Sequence, residues 1–352
     1  MRHFTTIILL LIGRLCFANM ASPIWEGTYG SNAFSSRDID IIREKLSVTI
    51  DKDFKTASYL IEYSIKADSS GKQIPLLFHA KDYLGYFHVW VDGKEIELKD
   101  IPREYLDSSN SSFSKFASSF EIRWNEHESN SYSLSDLKYF ETDLTKGEHE
   151  IRVEYVASVW TDTHGWLKEY SFVYSLSPAK NWRSFGSLEI ILKAKDFGKP
   201  LTTNLGQPTT GKLGTTAIWK FDKLPSDYFE ITYKPTMTSI SKTLIEIGPF
   251  GLTVIIGLII SLLHFLSIKQ FRKKEATGKS WVLIVGSIVN PFLILISYMV
   301  SFIIIDTSIG TDAGGYHGYT FFVILLYPIL TPVYWILTVS YTHLTLPTNR
   351  EV

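Results

Sequence analysis

The chain holds a single cysteine, Cys16, and it lies within the first 21 residues. Once that leader is removed, no thiol remains, which excludes a disulfide framework and any thiolate-bound metal. A domain of about 200 residues still buries enough apolar surface to fold without such staples. Also missing are a Gly-x-Ser-x-Gly elbow, a His-Glu-x-x-His pair and a dinucleotide fingerprint. Carboxylates are plentiful but scattered, so no acid–base pair stands out. The sequence therefore leans away from an enzyme, and no cofactor is expected. A net charge of -1 gives no electrostatic case for nucleic acid as a partner.

The most consequential absence is of charge near the C-terminal end. The blocks 247–268, 281–305 and 319–341 contain no Lys, Arg or Glu. A bilayer core of roughly 30 Å takes about 20 helical residues to cross, so each block is long enough to span. Residues 1–21 run from Arg2 and His3 through the apolar Ile7–Ile12 to small residues at Cys16, Ala18 and Ala21, the order of a secretory signal peptide. Two cleavage sites fit, and Arg14 leaves an uncleaved anchor open.

Charge also sets an expected topology. Lys269, Arg272, Lys273, Lys274 and Lys279 stand against one acid in the link 269–280, the mark of a cytoplasmic loop. The link 306–318 carries Asp306 and Asp312 and no Lys or Arg, so it is expected outside with the export-directed N-terminal region. Inside the spans, His264 and Asn290 are the polar groups to watch. The alternative is that His264 sits near the headgroups and Asn290 bonds a neighbouring helix.

Between leader and spans, residues 22–234 read as an all-β extracytoplasmic domain. Leu46, Val48 and Ile50 alternate with polar residues, as do Tyr59, Ile61, Tyr63 and Ile65. Asp92-Gly93 between two alternating runs signals a hairpin. Many short strands predict an antiparallel β-sandwich, one large or two small, with a possible boundary in the Ser- and Asn-rich 110–135. Residues 235–246 are expected to link it to three transmembrane helices. The run 206–213 resembles a phosphate loop but has Leu213 where a hydroxyl residue should hold magnesium, so it is set aside.

Trp160, Asp162, His164 and Trp166 form the most distinctive cluster. Two indoles, a carboxylate and an imidazole could stack a flat ligand and hydrogen-bond it. Alternatively the indoles flank a turn and pack on the sheet. One His with one Asp is too few ligands for a metal.

The runs 44–50, 144–155 and 176–182 resemble uncharacterised bacterial envelope proteins built from a signal peptide, a β domain and C-terminal membrane helices. The resemblance implies that architecture and no activity. Residues 340–352 resemble translated sequencing-adapter DNA, in which case the natural chain is expected to continue past them; alternatively 342–352 is a short polar tail. The expected function is a membrane-anchored binding or sensing module. Its partners are the lipid bilayer and an envelope ligand or membrane protein. The alternatives are a structural subunit of a membrane complex, or the first part of a transporter, enzyme or signalling protein.

Overall fold

The computed structural model describes residues 20–21, 39–68, 70–72, 76–79, 83–99, 113–116, 119–123, 129–133, 137–140, 142–176, 179, 182–274, 281–315 and 317–345. Most of the leader, Lys279 and the tail from 346 lie outside the described residues. The chain forms two compact units. One is Met1–Thr161 with Tyr170–Tyr233; the other is Asp162–Glu169 with Lys234–Val352. The chain thus passes between units at 161–162, 169–170 and 233–234.

Period-two alternation builds the first unit. Its principal strands are β1 (Ile39–Ile50), β2 (Thr56–Ala67), β3 (Tyr83–Val91), β4 (Lys94–Ile96), β5 (Gly147–Ser158), β6 (Trp160–Asp162), β7 (Glu169–Ser175), β8 (Ser184–Lys193), β9 (Thr202–Thr203), β10 (Thr210–Gly211), β11 (Thr216–Phe221) and β12 (Tyr228–Tyr233). An eight-stranded sheet runs β10-β11-β8-β1-β2-β5-β3-β4, and a four-stranded sheet runs β6-β7-β12-β9. Smaller two- and three-stranded sheets pair Met20–Ala21, Leu76–His79 and Leu137–Phe140, then Phe113–Phe116, Ser119–Arg123 and Ser129–Ser133, and Gly71–Lys72 with Asp143–Leu144. Asp92 and Gly93 both take positive φ, 50° and 76°, as a two-residue hairpin loop between β3 and β4 requires.

One ladder departs from the antiparallel expectation. β8 runs parallel to β1, with Leu188 beside Glu44 and Lys193 beside Thr49, so the large sheet is mixed. Alternation identifies each strand but not its neighbour, and these two are separated by most of the domain. Inward residues of both sheets join one core. Leu46, Val48, Ile61, Val89, Val153 and Ile190 come from the large sheet; Phe172, Tyr174, Phe229 and Ile231 come from the small one. Burying each such side chain is worth about 1.5–3 kcal/mol. The run 206–213 folds as part of a β-ribbon, Thr210–Gly211 pairing with Ala217–Ile218, which removes the strand–loop–helix context of a phosphate loop.

The second unit is helical. Helix α1 (Ser239–Lys274) starts inside the segment expected as a linker. Thr238 explains the start: its Oγ1 accepts from the Ser241 amide at 3.1 Å, an N-cap bond. The helix breaks at Gly248, whose φ of 71° only glycine adopts readily, and resumes at Pro249, which has no amide hydrogen to leave unsatisfied. Helix α2 (Trp281–Ile309) stops at Gly310, which turns to φ 84°. A 3-10 stretch, Gly318–Leu326, then leads into α3 (Tyr327–Thr345), with Pro328 in the first turn. Among the described residues, these three helical stretches are long and apolar enough to cross a membrane.

Candidate functional site

The segment Asp162–Glu169 is flanked by β strands in sequence yet belongs to the helical unit. It is held there along its backbone. The amide of Gly314 donates to Trp166 O at 3.0 Å, and that of Lys168 donates to Asp312 O at 2.8 Å. Leu167 and Ala313 form an antiparallel bridge, and Lys168 Nζ donates to Thr311 O at 2.8 Å. Gly314 permits the approach. A Cβ on Gly314 would stand 1.9 Å from Gly165 O and 2.8 Å from Thr163 O.

Trp166 completes the attachment. Its indole lies 5.5 Å from the Phe302 ring, interplanar angle 25°, and 4.8 Å from the His317 ring. His317 also packs on Phe302 at 4.6 Å and sets Nε2 3.2 Å from Asp306 Oδ1. A carboxylate on one imidazole nitrogen fixes the ring's orientation. Beside it lies a shallow cleft of about 380 Å³ lined by Tyr298, His317, Tyr319, Thr320 and Val323. Asp306 and His317 lie 11 residues apart in a short link, but Trp166, which packs on His317, lies far away in the sequence, so no local pattern marks the cluster.

Of the four residues singled out in sequence, Asp162, His164 and Trp166 fall in this segment, while Trp160 belongs to the β unit. Asp162 Oδ1 accepts from the His164 amide at 2.8 Å and meets His164 Nδ1 at 2.7 Å. The hydrogen bond from that amide holds the Asp162 carboxyl below its ordinary range. The His164 side chain is 88% exposed and Trp166 is engaged with helix residues, so the three do not converge on one ligand position.

His264 and Asn290 meet through a third residue, Tyr334. His264 Nδ1 lies 3.1 Å from Tyr334 Oη, and Asn290 Nδ2 donates to the same oxygen at 3.2 Å. His264 Nε2 reaches Val282 O at 3.1 Å, and Ser287 Oγ meets Thr338 Oγ1 at 2.8 Å. Gly286 makes room: a Cβ there would stand 2.0 Å from His264 Nε2. The network joins all three helices and satisfies polar groups between otherwise apolar faces. Lys269, Arg272, Lys273 and Lys274 gather at the C-terminal end of α1, where the helix dipole favours cations.

A second site lies in the β unit, built around Glu44. A bulge between Ile41 and Arg43 shifts the phase of β1, so Glu44 points inward with Leu46, Val48 and Ile50. Gly186 on β8 allows the bulge, since a Cβ there would lie 2.1 Å from Ile42 O. Glu44 has no exposed surface. Tyr174 of the small sheet donates to its Oε1 at 2.9 Å, and Tyr63 Oη lies 2.9 Å from Tyr174 Oη. Its Oε2 has no hydrogen-bond partner. Burial pushes the Glu44 carboxyl up to about 7, with hydrogen bonds from Tyr174 and Tyr63 opposing the shift. The signal for this residue was present in the sequence, because Glu44 shares the period of Leu46, Val48 and Ile50.

Among the described residues, no group of three His, Cys, Asp or Glu side chains is arranged to hold a metal. No family model and no curated protein matches the chain. Among solved structures, a Legionella pneumophila protein provisionally described as nutrient-binding is 12% identical, with TM-score 0.37, covering 56% of this chain and 68% of that one. An M1 zinc metallopeptidase from Deinococcus radiodurans is 10% identical, with TM-score 0.29, over 56% of this chain and 43% of that one. Leukotriene A4 hydrolase from Saccharomyces cerevisiae is 9% identical, with TM-score 0.33, over 60% and 32%. The matched stretch spans less than half the length of either enzyme. Activity resides in sites rather than in chain path.

Proposed function

We propose that the chain is a membrane-anchored sensing or binding module. Its β unit is a two-sheet sandwich standing outside the cytoplasm, and its helices cross the bilayer three times. The Lys and Arg residues at the end of α1 support a cytoplasmic position for that end, and Asp306 and Asp312, in a link without Lys or Arg, support the opposite side for the end of α2. The observation that carries the reading is the segment Asp162–Glu169. It leaves the β unit, is held by Gly314, Phe302 and His317 of the helical unit, and returns. A change in β6 or β7 therefore has a covalent route to the helices that a simple tether at 233–234 would not supply. His264, Asn290 and Tyr334 tie those helices to one another, so that a displacement is shared.

Two measurements test this. A reporter active only in the cytosol is expected to stay silent after Tyr233 and to respond when inserted within 275–280; activity after Tyr233 contradicts the topology. The chain is also expected to purify from mild detergent without a fixed partner. A stoichiometric companion would instead make it a structural subunit.

A further inference from the structure

Glu44 is the one buried carboxylate among the described residues, and no base faces it. The groups against it are phenols, Tyr63, its register partner on β2, and Tyr174 on β7; Tyr59 on β2 and Tyr155 on β5 lie farther along, opposite Val48 and each other. Leu188 is its neighbour on β8. Tyr59 and Tyr155 stack on each other at 4.6 Å, and burial pushes all four phenols upward, so none loses its proton before Glu44 does. As an acid, Glu44 is neutral and leaves one O–H without an acceptor, a smaller cost than a bare charge. As a carboxylate, it is a charge in the core with one oxygen unsatisfied, a costly state.

The position matters as much as the burial. Glu44 sits on the large sheet and takes its hydrogen bond from Tyr174 of the small one, so it joins the two. Tyr174 lies on β7, and β7 begins at Glu169, where the chain comes back from the helical unit.

We propose that Glu44 is a proton-operated element of the β unit: as an acid it lets β7 pack on the large sheet, and as a carboxylate its buried charge, whose desolvation cost outweighs the hydrogen bond from Tyr174, drives that packing open. The step is the loss of one proton from Glu44 to water, with no other bond changed. The ligand sensed is then the proton. Burial sets the transition near neutrality, where an external domain meets changing pH. Only the last link, from β7 to the helices, rests on the sensing function proposed above.

Infrared spectroscopy of the full chain in detergent tests the switch. A protonated carboxyl band is expected to vanish between pH 6 and 8, roughly centred on neutrality, and to be missing throughout in Glu44→Gln. Hydrogen exchange within Glu169–Ser175, corrected for its intrinsic pH dependence, should rise at least about tenfold over the same interval, and stay flat in Glu44→Gln. Tyr174→Phe, which removes the donor to the carboxylate, should move the transition upward. A band insensitive to pH, or a Glu44→Gln variant that behaves as the parent does, overturns the proposal. If both readouts respond while exchange in 162–168 does not, the proton switch stands and the sensing function fails.

Discussion

Replacing Gly314 with alanine should detach the segment Asp162–Glu169 from the helical unit. The new Cβ would stand 1.9 Å from Gly165 O, whereas such contacts do not fall below 3.0 Å, so the two backbones must separate by about 1 Å. Both sides are backbone, and no side-chain rotation relieves the clash. Three hydrogen bonds are then at stake: Gly314 N to Trp166 O, Lys168 N to Asp312 O, and Lys168 Nζ to Thr311 O. Each contributes about 1 kcal/mol net. The contacts of Trp166 with Phe302 and His317 add roughly 1 kcal/mol apiece. Losing even half of this shifts the equilibrium toward the open segment by about 2.5 kcal/mol, roughly seventyfold. Trypsin cleavage after Lys168 in the detergent-solubilised chain reads that population directly. Gly318→Ala is the control, since a Cβ there meets nothing within 4 Å. Equal cleavage rates in parent, Gly314→Ala and Gly318→Ala would refute the reasoning.

Stability of the β unit should fall as pH rises from 4.5 to about 7, because the unfolded state releases the Glu44 proton first and the folded state holds it. That interval corresponds to about 3 kcal/mol, present in full below 4.5 and lost by about 7. Denaturant titrations of Glu44→Gln should lack this slope. Tyr334→Phe leaves His264 Nδ1 and Asn290 Nδ2 without their shared oxygen, at a cost of about 1–3 kcal/mol for each group, measurable as a lower melting temperature in detergent.

Period and charge carried much of the architecture. Leu46, Val48 and Ile50 announce a strand because every second residue must face the core, and the uncharged blocks announce long apolar helices. Asp92-Gly93 announces its hairpin through the positive φ both residues accept. Other features depend on pairings between distant residues, which no local pattern encodes. The parallel union of β1 and β8 is one, and the attachment of Trp166 to Phe302 and His317 is another. Gly314 and Gly165 read as ordinary turn glycines until the close approach of their backbones is seen. Glu44 was legible in part: its phase with Leu46 put it inside, but the bulge at Ile42 and the phenols around it came only from the fold.

A disulfide trap at Leu167→Cys and Ala313→Cys tests the attachment of the segment most directly. These residues are antiparallel bridge partners, so their Cα atoms stand about 4.5–5.5 Å apart, inside the range a disulfide accepts. The one native cysteine, Cys16, lies outside the described residues and is readily replaced. Mild oxidation of the full chain is predicted to close the bridge nearly completely, and Gly314→Ala to suppress it. Two thiols that remain reduced and both react freely with maleimide would contradict the account.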